Sequence, residues 1–177
     1  PRRKELLSGL GICYEVKTLP GIEESYPDTL SGEEIPVFIA CEKADAYRQT
    51  MHSDELIITA DTIVWLDGLV MGKPEDEEDA RRMLRCLSGK THQVITGVCL
   101  TTTEFQKSFA TVTDVTFAEL TEEEIDYYVQ KYKPMDKAGS YGIQEWIGFV
   151  GVEGITGSYF NVMGLPIQRL YKELSKL

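Results

Sequence analysis

Histidine is scarce in this sequence and positive charge is outnumbered. Of 177 residues, only His52 and His92 are histidines, which argues against a zinc centre built on imidazole ligands. Lys and Arg total 18 against 29 Asp and Glu, a formal net charge of −11. No overall positive field draws in nucleic acid or an anionic membrane, which argues against broad binding to either. A small anionic substrate stays open, because it needs only a local cluster of cations or a bound metal ion. No apolar run approaches the length that spans a bilayer, and Pro1-Arg2-Arg3-Lys4 is not followed by an apolar signal core. The four cysteines, Cys13, Cys41, Cys86 and Cys99, are widely spaced and form no C-x-x-C pair, the pattern of reduced thiols in a cytosolic protein. Repeats, low-complexity tracts and linkers are also missing, so composition marks no domain boundary. The length suits one domain, or two closely merged lobes, with a real core.

What is present reads as an α/β chain with a mixed sheet. Arg2 to Leu10 reads as a short helix stopped by Gly11, and Cys13 to Leu19 as a strand. Ser31-Gly32-Glu33-Glu34 resembles a capping box ahead of a helix from about Pro36 to Gln49. Strands are predicted at about 56–60 and 62–66, followed by an Asp67-Gly68 hairpin signal and a third strand to Met71. Asp76 is placed to cap a helix through Leu87, with Gly89 as its stop. Two long alternating segments, His92–Thr102 and Phe105–Phe117, read as an antiparallel pair. Thr121 starts a helix with three glutamates in its first turn. Residues 133–144 read as a structured loop, Ile147–Val152 as a strand, and Pro166 as part of the first turn of a closing helix.

Asp61 is the strongest candidate for chemistry. On this reading it falls at the C-terminal end of the apolar strand Leu56-Ile57-Ile58-Thr59-Ala60, where open α/β sheets place ligands. It is either a solvated turn acid or a metal ligand or general base for water. Glu23 and Glu24 are a solvated acidic pair unless their loop brings Glu24 to share Mg²⁺ with Asp61. Lys43 and Lys73 are ordinary surface lysines singly. Together with Arg2 and Arg3 they would form the cation cluster that a triphosphate demands. Lys137, in Asp136-Lys137-Ala138-Gly139, is a further cation or a turn residue. Gln144 offers a donor and an acceptor side, suited to a base edge or to a structural hydrogen bond. Thr62 divides between strand packing and ligand contact. Tyr141, Trp146 and Phe149 default to core, and His92 to a structural hydrogen-bonder.

In order along the chain, these pieces are far more specific than any one of them. Pro-Arg-Arg-Lys-Glu-Leu-Leu (1–7), Glu42-Lys43-Ala44, Ala60-Asp61-Thr62-Ile63-Val64, Gly72-Lys73-Pro74 and Leu87-Ser88-Gly89-Lys90-Thr91-His92-Gln93-Val94 form the first part of the series. Asp136 through Gln144 and Gly157 through Pro166 complete it. With these runs the chain resembles the Maf family of nucleoside triphosphate pyrophosphatases over nearly its whole length. The resemblance implies a long, strongly bent mixed β-sheet flanked by helices, shared with inosine triphosphate pyrophosphatases, in a single Maf-like domain (1–177) with two lobes and a central cleft. It implies hydrolysis between the α- and β-phosphates with a divalent metal, Mg²⁺ or Mn²⁺. Asp61 would be the proton acceptor. Glu24, Lys43 and Lys73 would surround the metal and phosphates, with Glu24 and Asp61 as the metal's carboxylates.

Arg2, Thr62 and Gln144 match the positions associated with substrate choice, and Gly-Ile-Gln ending at Gln144 looks like the subfamily acting on dTTP and UTP. Modified pyrimidine triphosphates are a further option for the same pocket. The alternatives are a 7-methyl-GTP pyrophosphatase and a nucleotide-sensing regulator of septum formation. A cytoplasmic homodimer is the expected setting, without nucleic-acid or membrane partners. The family opens with a strand and an Ala-Ser-x-Ser segment just before Pro-Arg-Arg, and this sequence begins at Pro1. On that count a phosphate-contacting segment is expected to be missing, and Arg2 and Arg3 to be poorly held.

Overall fold

The computed structural model describes residues 2–177; Pro1 lies outside the described residues. Its elements run α1 (Arg2–Ser8), α2 (Glu34–Arg48), β1 (Ile57–Leu66), β2 (Leu69–Met71), α3 (Glu77–Leu87), β3 (Thr91–Thr101) and β4 (Gln106–Phe117). Then come α4 (Glu122–Tyr132), a 3₁₀ turn at Ala138–Ser140, α5 (Trp146–Gly151), β5 (Val152–Thr156), α6 (Tyr159–Met163) and α7 (Ile167–Ser175). The five strands form one sheet in the order β2-β1-β3-β4-β5. Both edge pairings are antiparallel, β2 on β1 (Val64 opposite Met71) and β5 on β4 (Val115 opposite Ile155).

The chain divides into two compact units, each discontinuous in sequence. Among the described residues the first comprises 2–62, 95–111 and 164–177, the second 63–94 and 112–163. In the first, Ala60, Val98, Leu100, Phe109, Leu165 and Leu170 form a buried cluster with Leu6, Leu7 and Ile58 packed on it. A smaller cluster sets Ala40 and Ala44 of α2 against Cys99 of β3. In the second, the amphipathic α3 buries Ala80, Met83, Leu84 and Leu87. Arg81 and Arg85 tie α3 to Asp126 and Glu122 of α4. The rings of His92, Phe117 and Tyr141 meet edge to face with centroids 4.9–5.4 Å apart.

Caps and turns fall where local chemistry puts them. Asp76 accepts from the Asp79 amide at 2.7 Å, and Thr121 and Glu124 close a complete capping box. Asp67 and Gly68 both take positive φ, 51° and 80°, as a two-residue hairpin requires. At Ser31 only half a box forms. The Ser31 amide donates to Glu34 Oε1 at 3.2 Å, Glu33 occupies the N-cap without a side-chain bond, and the helix starts at Glu34.

Three expectations are corrected. Residues 13–19 form no strand: Val16 is 62% exposed. The segment is held by side chains instead, with Tyr14 Oη donating to the Lys4 carbonyl and the Leu19 amide donating to Tyr47 Oη. Residues 57–66 are one strand rather than two, because Thr59, Thr62, Ile63 and Val64 carry the extended backbone past Asp61 without a breaker. Asp61 therefore sits inside β1, not at a strand end. Residues 146–151 are helical, and the strand begins only at Val152. Ile147 is buried while Phe149 is 81% exposed, so the alternation that suggests a strand is instead one turn of helix, and Phe149 is not core. Gly148 permits that turn, since a Cβ there would lie 1.9 Å from the Ile143 carbonyl oxygen.

Candidate active site

In the first unit, α1, the 21–26 loop, α2 and β1 bring five of the expected residues together. Asp61 points from the middle of β1 and is 8% exposed. Lys43 projects from α2, where the neighbouring Ala40 and Ala44 are buried and fix the helix by packing. Its Nζ donates to the Ala60 carbonyl at 3.1 Å. The same ammonium lies 3.2 Å from Glu24 Oε1 and 3.6 Å from Asp61 Oδ1. Both are ion pairs, in which the ammonium acts on the two carboxylates through charge.

Arg3 is firmly placed, contrary to the expectation that Arg2 and Arg3 are poorly held. Its Nε donates to the Gly164 carbonyl at 2.8 Å and its Nη2 to Thr62 Oγ1 at 3.0 Å. Thr62 Oγ1 also lies 2.8 Å from Thr96 Oγ1. Gly164 has φ of 120°, the left-handed half of the backbone map that disfavours side chains. Arg2 is partly exposed on α1.

Burial sets the electrostatics. It pushes the Asp61 carboxyl up to about 6, against the pull of Lys43 and Arg3 and with the help of Glu24. The same burial lowers the Arg3 guanidinium from its usual value, partly offset by Asp61 and Glu24. A carboxylate that titrates near neutrality while facing two cations is poised to accept a proton.

In the second unit Lys73, Lys137 and Gln144 lie on two joined loops. The Gly139 amide donates to the Gly72 carbonyl at 3.1 Å, which sets Lys73 beside the 136–144 segment. Lys73 is exposed. Lys137 is not: its Nζ is 3.1 Å from Asp136 Oδ1 and 3.7 Å from Glu145 Oε2. Gln144 is exposed between the buried Ile143 and the half-buried Glu145. His92 is a structural residue as expected, its Nε2 2.6 Å from Tyr141 Oη. Burial lowers its pKa to about 4, so it is neutral at physiological pH.

Sequence reasoning missed the backbone acceptors, the carbonyls of Ala60 and Gly164, which no side-chain pattern reveals. It also missed Thr96 and Tyr128. For Tyr128 a signal exists: Ile125, Tyr128 and Val129 share the buried face of α4, and a buried tyrosine hydroxyl needs a partner.

Cations gathered about a buried carboxylate, here Lys43 and Arg3 near Asp61 of β1, are groups that phosphoryl chemistry uses. The model of the Maf-like protein family matches residues 1–177, and this chain belongs to that family. It is 81% identical over its full length to a dTTP/UTP pyrophosphatase of Phocaeicola vulgatus and 71% identical to one of Bacteroides fragilis, covering 92% of each. A dTTP/UTP pyrophosphatase of Porphyromonas gingivalis is 55% identical over 98% of the chain and 88% of its own length.

Proposed function

We propose that this chain hydrolyses dTTP and UTP between the α- and β-phosphates, releasing the nucleoside monophosphate and pyrophosphate. The single observation that carries the mechanism is the ammonium of Lys43 standing against Glu24 at 3.2 Å and Asp61 at 3.6 Å, with Asp61 buried. Phosphoryl transfer needs an oriented nucleophile and neutralised charge more than covalent help. Asp61 orients a water and takes its proton as that water attacks the α-phosphorus. Lys43, Arg3 and Lys73 take up charge on the triphosphate and on the departing pyrophosphate. Thr62 fixes the guanidinium of Arg3, and Arg2 and Lys137 lie on the segments assigned to substrate contact. Gln144 meets the uracil or thymine edge with one donor and one acceptor. The names of the relatives support this choice of bases.

Glu24 and Asp61 also suit a hard divalent cation, Mg²⁺ or Mn²⁺. They are two carboxylates already gathered around one positive charge, and Mg²⁺ is commonly held by one or two carboxylates plus substrate phosphates. Among the described residues no group of three or more His, Cys, Asp or Glu could hold a metal ion, so the nucleotide would complete its coordination. When bound, such an ion neutralises phosphate charge.

Among the described residues no helix is long and apolar enough to cross a membrane. A cytoplasmic place is proposed, where free nucleotides are met. A second copy of the chain is the proposed partner, for which the exposed Phe149, Val150 and Tyr127 supply apolar surface.

The test is Asp61→Asn. Turnover of UTP is expected to fall by roughly two to four orders of magnitude, as for loss of a general base, while UTP binding measured by calorimetry persists. Full turnover in that variant would remove Asp61 from the role.

A further inference from the structure

We infer that Tyr128 is a positioning residue for base selection, acting through the turn that carries Gln144. This rests on the reading of Gln144 as the residue that meets the pyrimidine edge. Gly142 to Glu145 form a tight turn, closed by the Glu145 amide donating to the Gly142 carbonyl at 3.0 Å, and Gln144 is its exposed residue. One phenol oxygen holds both ends of it. Tyr128 Oη accepts from the Gly142 amide at 3.0 Å and donates to Glu145 Oε1 at 2.5 Å. A hydroxyl has one proton and two lone pairs, so these two bonds have a fixed direction: amide to phenol, phenol to carboxylate.

The surroundings leave this clamp little freedom. Tyr128 is fully buried on α4 and stacks on Tyr132 with ring centroids 5.1 Å apart. Gly142 is bare because the clamp closes over it: a Cβ there would lie 2.9 Å from Glu145 Oε1 and 2.9 Å from Lys137 Cε. Lys137 lays its stem along Gly142 and sets its ammonium 3.7 Å from Glu145 Oε2. On the far side the Glu145 carbonyl accepts from the Gly148 amide at 2.9 Å, which joins the turn to α5. Every group around Gln144 is therefore bonded or packed, while its own side chain is exposed.

That contrast suits recognition. A carboxamide matches uracil with its N–H toward O4 and its C=O toward N3–H. Turned over, it matches cytosine. Discrimination then depends on where the backbone presents the amide, and a rigid turn removes the ordering cost that a mobile one would impose on binding. Lys137 thus supports the turn through Glu145, whatever contact it makes with substrate.

The experiment compares wild type with Tyr128→Phe, Glu145→Gln and Gln144→Ala. It measures kcat and KM for UTP, dTTP and CTP, and hydrogen exchange of the Gly142 and Glu145 amides. Tyr128→Phe keeps the ring and removes only the hydroxyl. It is expected to raise KM for UTP and dTTP roughly tenfold with kcat within about twofold, as for lost binding without lost chemistry. It should also narrow the preference over CTP and speed exchange at Gly142. Glu145→Gln still accepts from the phenol and should retain the preference.

Tyr128→Phe with wild-type preference and wild-type exchange, alongside a Gln144→Ala variant that has lost its preference, overturns the clamp alone. An equal fall in kcat/KM for all three nucleotides overturns it as well, since that marks a merely structural role. Unchanged base preference in Gln144→Ala, with exchange accelerated in Tyr128→Phe, overturns the base reading and with it the purpose assigned to the clamp.

Discussion

The Arg3 guanidinium donates to Thr62 Oγ1 at 3.0 Å, across 59 residues of sequence. Thr62 is the residue after Asp61 on β1, so one strand carries the carboxylate proposed as base and the hydroxyl that fixes a cation proposed to bind phosphate. Thr62→Val keeps the branched shape and removes the acceptor. A hydrogen bond to a charged group is worth about 1.5–3 kcal/mol. KM for UTP is expected to rise with kcat roughly preserved, and thermal melting should show a modest loss of stability.

Lys43 pulls hardest among the groups that hold the Asp61 carboxyl down against its burial. Lys43→Met leaves Glu24 and Asp61 without their shared cation. The Asp61 titration should move above about 6, and kcat/KM at neutral pH should fall because the base is then partly protonated. A pH–rate profile of the variant, displaced upward relative to wild type, is the check.

Asp61 should cost the fold stability in metal-free protein. Its carboxyl is raised from 3.8 to about 6. Below 3.8 it is protonated in both folded and unfolded chains and has no effect. As pH rises through that window the unfolded chain ionises first and the folded state loses ground; above about 6 the loss is constant, on the order of 3 kcal/mol. Asp61→Asn should therefore melt higher than wild type at pH 8 in the presence of a chelator, with the difference disappearing near pH 4.

Glu173 behaves in the opposite sense. Its carboxylate, nearly buried on α7, is held by Lys107, Lys176 and Arg169, and Lys107 leads in lowering it to about 2 from 4.5. A lowered carboxyl adds stability above its unfolded value and loses it as pH falls through the folded one. Acid unfolding of wild type should steepen between pH 4.5 and about 2, and Glu173→Gln should flatten that part of the curve.

Local chemistry was legible in the sequence wherever one or two residues decide the backbone. Asp76, Thr121, Gly89 and Asp67-Gly68 all mark their boundaries as expected. The readings that failed depended on partners far along the chain. Residues 13–19 alternate like a strand, yet the exposed Val16 shows no buried face to reward pairing. Residues 147–152 look extended until Gly148 lets the chain close onto the Ile143 carbonyl. Asp61, Lys43, Glu24, Arg3 and Thr62 were singled out through their motifs, and the structure brings them together. Their support was not legible, because the Ala60 and Gly164 carbonyls belong to the backbone, and Tyr128 reads as plain core until its hydroxyl is traced to Gly142 and Glu145.

The most direct test of the account is hydrolysis of UTP in heavy-oxygen water, with both products weighed by mass spectrometry. Attack of an Asp61-activated water on the α-phosphorus predicts UMP carrying one heavy oxygen and pyrophosphate carrying none. Heavy oxygen in pyrophosphate, release of UDP and phosphate, or hydrolysis of 7-methyl-GTP in place of UTP and dTTP would contradict it.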